Sequence, residues 1–285
     1  MKVRIGFAVG GERMVSLDHY GEVLDDLDRL GFDSVWLPET FLGGTFDPIV
    51  GLSYAAARVQ RLKLGSHLVA PGRNPITLAK SLAQLDRLSA GRLLLVFVPG
   101  LADPEERAVQ GMPDGDRTLW FDEHLPTMQR LWAGEQVDGA QLDPLPVQQP
   151  LEVWLGGKAT KAMERIGRIG DGWLAGLMTL PEAVAARAVI DRAAADAGRE
   201  VSGEHFGVNL SYTLGRELPS VVPISRRAVG DPRDLISVGA AALRDNVRRW
   251  CDAGFSKIVV RPLAPPTDWR AELEALADAV VDLQT

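Results

Sequence analysis

The residues best suited to bind a phosphate lie in the stretch Gly156-Gly157-Lys158-Ala159-Thr160, which joins an apolar run to a helical pattern. Unpaired backbone N–H groups at the start of a helix attract anions, and glycine lets a phosphate approach the backbone closely. Lys158 adds a positive charge. The stretch therefore predicts a phosphate site, although a tight turn that needs glycine only for its geometry would have the same sequence.

Two further side chains suit acid–base chemistry because they lie where apolar runs end. Glu39 ends the second such run, and His67 is the one histidine of four that lies near the carboxyl end of a predicted strand. We expect both as candidate catalytic residues facing a bound molecule. Each also has a structural interpretation, His67 as a hydrogen-bonded core histidine and Glu39 as the ion-pair partner of Arg261.

Charge is distributed unevenly over the loops expected at one rim of the fold. The segment Pro99–Asp116 carries five acidic residues and one basic residue, namely Asp103, Glu105, Glu106, Asp114, Asp116 and Arg107. The opposite wall is expected to gather basic residues, namely Arg73, Lys158, Lys161, Arg226, Arg227 and Arg261. This asymmetry predicts an anionic ligand held on one side. The alternative interpretation is that Arg73, Arg226 and Arg227 are solvated loop charges that bind no ligand.

Composition excludes several classes of protein. The chain has 285 residues, 46% of them hydrophobic and 24% charged, which is typical of a globular protein. A net charge of −7 is the wrong sign for a general nucleic-acid binder, and one cysteine excludes an intramolecular disulfide framework or an iron–sulfur cluster. Neither a signal peptide nor a membrane-spanning run occurs, so we expect a cytoplasmic protein without a membrane partner.

Buried-strand patterns alternate with helical patterns at an interval of about thirty residues, the size of one βαβ unit. The strand patterns are Val3–Val9, Ser34–Leu37, Leu62–Val69, Arg92–Val98, Leu151–Leu155, Gly172–Ala175, Phe206–Leu214 and Lys257–Arg261. Eight such units predict an α/β fold, a single (β/α)8 TIM-type barrel over residues 1–285. The rival is a two-domain doubly wound protein, but no Pro/Ser/Gly-rich boundary divides the chain.

Two long loops are expected on the rim where strands end and helices begin. One is Pro99–Asp116, after the fourth strand, and the other is Gly215–Ser237, after the seventh. Ordered loops of this length usually serve as lids or binding loops. We expect Gly215–Ser237 to be a lid that covers a bound molecule with Val221–Arg227, the alternative being a static loop.

Five stretches together resemble the bacterial luciferase-like superfamily of flavin- and deazaflavin-dependent oxidoreductases. They are GFDSVWLPE (31–39), NPITLAKSLAQLDRLSAGRLLL (74–95), RTLWFDEHLPTMQRLW (117–132), VWLGGKATKAMERIGRIGDGW (153–173) and DAGFSKIVVRP (252–262). The resemblance implies a TIM-type barrel that binds coenzyme F420 or FMN, with the cofactor phosphate at residues 156–160. It also implies a non-prolyl cis peptide or bulge at His67–Leu68 under the ring, with Pro99 and Gly100 near the cofactor.

The sequence departs from the family pattern at two places. Val96 and Val98 stand where many members have glycine, and Thr40 stands where deazaflavin-dependent members often have a catalytic histidine. The basic wall favours F420, whose phospholactyl and oligoglutamate tail is longer than that of FMN, and Arg226 and Arg227 would reach that tail. We therefore expect F420-dependent hydride transfer with a small organic substrate, in a homodimer. The alternatives are an FMN-dependent monooxygenase and a non-catalytic barrel that has lost its cofactor.

Overall fold

The computed structural model describes residues 1–9, 17–42, 46–112, 115–215, 217–218 and 234–285, and a ring of parallel strands forms its centre. Nine strands are present in these ranges: β1 (Arg4–Ala8), β2 (Ser34–Pro38), β3 (Lys63–Val69), β4 (Leu93–Val98), β5 (Val153–Leu155), β6 (Gly172–Gly176), β7 (Phe206–Thr213), β8 (Ile236–Val238) and β9 (Lys257–Pro262). Strand β9 pairs with both β7 and β1, which closes eight strands into a barrel. The predicted TIM-type barrel is confirmed, and the doubly wound alternative, which needs an open sheet, is wrong.

Helices cover the outside of the barrel. They are α1 (Leu17–Leu30), α2 (Pro48–Arg58), α3 (Pro75–Leu88), α4 (Pro104–Val109), α5 (Leu119–Trp132), α6 (Thr160–Ile169), α7 (Leu180–Asp196), α8 (Ala240–Asp252) and α9 (Trp269–Val280). Their starts follow the expected chemistry: the Asn74 side chain accepts from Thr77 N at 3.0 Å, and Pro75 takes the first helical position of α3. No helix in the described ranges is long and apolar enough to cross a membrane.

Alternate residues of each strand point into the barrel, where they form an apolar layer across its middle. This layer consists of Ala8, Trp36, Val96, Leu174 and Val259. Gly65 makes room for the largest member, because a Cβ there would lie 2.1 Å from the Trp36 ring. The other strand residues face the helices and form the main core, which explains the continuous apolar runs in the sequence.

A cluster of charges surrounds Asp33 at the amino-terminal end of the barrel. Lys257 donates a hydrogen bond to Asp33, and Arg4 lies 3.5 Å from the same carboxylate. Burial opposes ionisation of Asp33, but the Lys257 charge holds the pKa of that carboxyl below its ordinary value. Burial lowers the pKa of Lys257 to about 8, although Asp33 favours its charged form. The ion pair ties β9 to the turn before β2.

The expected cis peptide or bulge at His67–Leu68 is wrong. The cis peptide bonds of the described residues are Asp143–Pro144 and Gln149–Pro150. Strand β3 pairs without an inserted residue with β2 as far as His67 and with β4 as far as Val69. Because the ladder is hydrogen-bonded on both sides, an extra residue has no place in it.

The two long loops are described to different extents. The loop after β4 lies at the expected rim and contains α4, a helix that the sequence analysis did not predict. Of the proposed lid, residues 216 and 219–233 lie outside the described residues, and with them Arg226 and Arg227. Its end forms β8, which pairs with Ser211–Thr213 of β7 beyond the point where β6 stops.

The charge cluster around Asp33 can be tested, because three cations surround this carboxylate. We expect Asp33→Asn to lower the free energy of unfolding by about 3 kcal/mol, since it leaves Lys257 buried without a counter-charge. Lys257→Met should cost about 1 kcal/mol or less, since Arg4 and Lys63 still face Asp33 and the methionine stem keeps the packing. Urea unfolding measures both. Equal losses would contradict the asymmetry.

Candidate functional site

A depression at the carboxyl-terminal end of the barrel is formed by the inward-facing residues directly above the apolar layer. We call it the well. Each residue lies two or four positions beyond an interior residue of its own strand and is partly exposed. The described residues of the well are Pro38, His67, Val98, Gly156, Gly176, Asn209, Ser211 and Arg261. Its polar members come from β3, β7 and β9, whereas β4, β5 and β6 provide valine and glycine.

A hydrogen bond between His67 and Asn209 crosses the well from β3 to β7. The His67 Nε2 atom lies 3.1 Å from the Asn209 Nδ2 atom. An amide nitrogen can only donate, so His67 accepts at Nε2 and carries its proton on Nδ1. The Nδ1 atom is buried and has no hydrogen-bond partner among the residues that the structure describes. The well therefore contains a donor that no described protein group satisfies.

His67 is held in the neutral form. Burial, together with the nearby positive charge of Arg261, lowers the pKa of His67 to about 4. Its ring lies 5.4 Å from the Trp36 ring, whose own N–H donates to Ser34 Oγ at 2.9 Å. At neutral pH His67 is thus a fixed hydrogen-bonding group without charge, and it does not act as a proton reservoir.

Glu39 is paired with a different arginine from the one considered in the sequence analysis. Its carboxylate accepts from Arg73 Nη2 at 2.6 Å and from the backbone N–H of Val69 at 2.7 Å. Arg73 also contacts Asp47 Oδ2 at 3.1 Å. The considered Glu39–Arg261 pair is therefore wrong, and so is the interpretation of Arg73 as a solvated loop charge. Glu39 ties the end of β2 to the end of β3.

The pKa of Glu39 is raised because its burial outweighs the stabilising contacts with Arg73 and Val69. Each carboxylate oxygen nevertheless accepts a hydrogen bond from a protein donor. Its catalytic role remains a prediction, and in this structure its clear role is to position Arg73 and the end of β3.

The predicted phosphate-binding stretch forms an open cradle where β5 leads into α6. Ala159 precedes the helix without a side-chain cap, and Thr160 is the first helical residue. Gly157 allows the turn to come close to the helix, because a Cβ there would lie 2.7 Å from the Ala162 Cβ. The Trp173 indole N–H donates to the Gly157 carbonyl at 3.3 Å and braces the turn from below. The amino end of α6 thus keeps its N–H groups uncapped beside two glycines.

A cleft of about 460 Å³ continues from the cradle between α6 and α7. Lys158 and Thr160 of the cradle are among the residues that line it, together with Leu177, Met178 and Glu182. Lys158 is exposed and donates to the Leu177 carbonyl at 3.3 Å. The Glu182 carboxylate accepts from Thr179, so its oxygens are partly satisfied within α7. The cradle is therefore continuous with space for an extended group.

The acidic residues of the loop after β4 are largely used within the fold. Glu106 is 3% exposed and accepts from the backbone N–H groups of Phe41 and Leu42, which attaches α4 to the loop after β2. Asp103 caps α4, and Asp116 accepts from Thr118 at 2.9 Å. Asp114 lies outside the described residues. Of the described acids of this loop, Glu106 is buried, whereas Asp103, Glu105 and Asp116 are exposed.

The sequence also predicts ligand contacts for Pro99, Gly100 and Leu68, and the structure places these residues differently. Pro99 and Gly100 follow β4 at the edge of the well, and Arg117 donates to the Gly100 carbonyl at 3.0 Å. Leu68 is fully buried in the main core on the side of β3 opposite His67. Its side chain therefore does not line the well.

Sequence reasoning missed Asn209, although a signal for it was present. Strand alternation places the second residue after Gly207 on the same inward face, so the one amide on that face of β7 could have been identified. The structure brings His67, Asn209 and Arg261 together in the well and places residues 156–160 beside it. Arg226 and Arg227 lie outside the described residues.

The described part of the well can bind and orient but has little catalytic chemistry of its own. It contains one cation, a neutral histidine, an amide and a hydroxyl, and no carboxylate. Within the described ranges no group of three His, Cys, Asp or Glu side chains could hold a metal ion. A redox reaction at this site would need a bound cofactor to supply the electrons.

The sequence of this chain is similar to that of known oxidoreductases. Residues 3–219 match the family model described as luciferase-like monooxygenase. An uncharacterised protein of Mycobacterium tuberculosis is 36% identical over 48% of this chain and 52% of its own length. Limonene 1,2-monooxygenase of Rhodococcus erythropolis is 38% identical over 41% of this chain and 31% of its own length. F420-dependent glucose-6-phosphate dehydrogenase of Beutenbergia cavernae is 29% identical over 60% of this chain and 56% of its own length. The chain thus spans about half the length, or less, of these curated relatives.

Solved structures share the fold over nearly the whole chain. An F420-dependent secondary alcohol dehydrogenase, solved with an F420–acetone adduct, superposes with a TM-score of 0.82 at 16% identity over 100% of both chains. The oxygenating constituent of 3,6-diketocamphane monooxygenase from Pseudomonas putida, solved with FMN, has a TM-score of 0.78 at 16% identity over 100% of this chain and 99% of that one. At such identities the likeness shows the fold alone.

The neutral state of His67 can be tested by titration. Because its pKa is about 4 in the folded chain and near 6.5 when unfolded, the unfolded state binds more protons between these values. Stability should therefore fall as pH decreases through this window, by up to about 1.4 kcal/mol per pH unit, and His67→Gln should lose that dependence. NMR of the His67 ring and urea unfolding measure the two effects. A His67 midpoint near 6.5 would contradict the assignment.

Proposed function

The chain belongs to the luciferase-like monooxygenase family, and from that membership we propose that it is an oxidoreductase that binds coenzyme F420 across the well. The proposed reaction is hydride transfer between the deazaflavin and a small organic substrate. The observation that carries the proposal is the uncapped start of α6 beside Gly156 and Gly157, on the same rim as the His67–Asn209 bridge.

The cradle fits the phosphate of such a cofactor. The first N–H groups of α6 have no side-chain cap among the described residues, and Lys158 adds charge beside them. The cleft beyond Lys158 offers space for the longer anionic tail of F420, which FMN lacks. Residues 156–160 would hold the phosphate, and Lys158 and Lys161 would bind the tail.

The well has an open side at β6 and a polar side at β3 and β7. These two sides would suit a flat, amphipathic cofactor ring. On the β4–β6 side, Gly176 has open space above it, because a Cβ there would meet only Asn209 Nδ2, at 3.8 Å. On the other side, His67 Nδ1 is a donor without a partner in the described residues, and Asn209 is fixed by its bond to His67. When bound, F420 would supply hydride chemistry at its ring carbon C5.

The protein's own residues would bind and orient the reactants and exclude water. His67 is neutral at pH 7, so it would offer a hydrogen bond at Nδ1 without delivering a proton. The Trp36 ring packs beneath it and fixes its plane. Glu39 and Arg73 would keep the ends of β2 and β3 in register around the site.

An FMN-dependent monooxygenase is the second candidate. Limonene 1,2-monooxygenase has the higher identity of the two named enzymes, although it matches a shorter part of the chain. Some of the basic wall that favoured F420 is also committed elsewhere, because Arg73 is bound to Glu39 and Asp47. The cleft beyond the cradle and the longer match to the F420-dependent dehydrogenase keep F420 as the first candidate.

Cofactor titration separates the candidates. We expect F420 to bind at least tenfold more tightly than FMN, about 1.4 kcal/mol, because its tail gains contacts in the cleft beyond Lys158. Fluorescence titration of the purified protein with each cofactor measures this. Tighter binding of FMN would favour the monooxygenase, and binding of neither would favour a non-catalytic barrel.

Lys158→Glu tests the cradle without disturbing the fold, because Lys158 is exposed. We expect cofactor binding to weaken at least tenfold, about 1.4 kcal/mol, since glutamate repels the phosphate. Lys80→Glu, an equal charge change at an exposed position of α3, should leave binding unchanged. Gly156→Val is a poorer probe, because a Cβ there would lie 2.8 Å from Val98 Cγ1. Unchanged binding in Lys158→Glu would place the phosphate elsewhere.

A further inference from the structure

Arg261 is a partly buried cation at the end of β9 whose counter-charge is missing from the described protein. It lies two residues beyond Val259 of the apolar layer, so strand alternation directs it into the well. Among the residues that the structure describes, no salt bridge includes it. Desolvation lowers its pKa with no opposing carboxylate. Such an arginine is costly for a protein to keep unless something anionic binds it.

Three described acids near the two ends of the barrel are engaged by groups other than Arg261. Glu39 is bonded to Arg73 and Val69, and Glu106 holds the backbone of Phe41 and Leu42. Asp33 lies at the opposite end of the barrel with Lys257. Within the well the polar neighbours are Asn209, Ser211 and His67, and all three are neutral at pH 7.

We propose that Arg261 binds a planar oxyanion of the carboxylate type in the well. The guanidinium group is a planar fork of N–H donors that matches two oxygens in one plane, as in a carboxylate or a delocalised enolate. Arg261 stands three strands around the ring from β5, where the phosphate cradle lies, so this is a second anion position. Asn209 and Ser211 on β7 provide neutral hydrogen-bonding groups beside it.

Two sources could supply this oxyanion: a carboxylate of the substrate or the anionic edge of the cofactor ring. The inference deepens the proposed function and rests on it for placing the reaction in the well. Anion binding by Arg261 can be measured without any cofactor, however. Failure of the inference and failure of the cofactor proposal are therefore distinguishable.

The experiment uses benzoate as a planar carboxylate probe and benzamide as its neutral counterpart. Binding is followed by NMR of the His67 ring, because neutralising Arg261 should raise the pKa of His67 from about 4. Among the described residues, Arg261 is the charged group that lowers the pKa of His67, in addition to burial. We expect saturable shifts with benzoate and at least tenfold weaker binding of benzamide.

Variants assign the effect to Arg261. Arg261→Met should weaken benzoate binding at least tenfold, and Arg261→Lys should retain part of it because one charge remains without the planar fork. Arg248→Met removes an equal charge at an exposed position of α8 and should change nothing. Because an unpaired cation is removed, the melting temperature of Arg261→Met should be unchanged or higher, which reports an intact fold.

Titration of F420 and FMN into Arg261→Met identifies the source. Unchanged cofactor affinity together with loss of benzoate binding assigns the oxyanion to the substrate. Loss of both assigns it to the cofactor ring, whose place benzoate then occupies. If Arg261→Met binds benzoate and both cofactors as the unaltered protein does, Arg261 is not an anion-binding residue and the inference is overturned.

Discussion

The apolar layer inside the barrel is the constraint on which the site depends. Ala8, Trp36, Val96, Leu174 and Val259 fill the middle of the ring, so water and ligands can enter only above or below them. At the lower end Asp33 and Lys257 form an ion pair, and at the carboxyl-terminal end lie the partly exposed residues of the well. Each inward residue above the layer therefore becomes part of the well, and its identity decides what the well can bind.

The charge of the site depends on which acidic residues near the mouth are already bonded to other protein groups. Glu39 and Glu106 both lie near the mouth, but their oxygens hold Arg73 and the backbone after β2. Arg261 is left as the one charge of the described well. Burial, together with the charge of Arg261, keeps His67 neutral. If both proposals hold, the uncapped start of α6 and Arg261 would be two separate anion positions on a protein of net charge −7.

Sequence alone was informative where local rules decide structure, and it failed where side chains meet across loops. The strand runs, the Asn74 cap and the glycine cradle at residues 156–160 follow from periodicity and helix-end chemistry. The partner of Glu39 could not be derived, because the choice between Arg73 and Arg261 depends on how loops after β2 and β3 fold. The regular backbone at His67–Leu68 and the bridge to Asn209 likewise depend on the closed ladder.

A crystal structure with F420 bound would test the proposed binding mode, because it locates both ends of the cofactor at once. We expect the phosphate to lie against the backbone of residues 157–160, with Lys158 beside it, and the ring to lie in the well against His67 and Asn209. A phosphate bound at another strand–helix junction, or a ring lying outside the well, would contradict it.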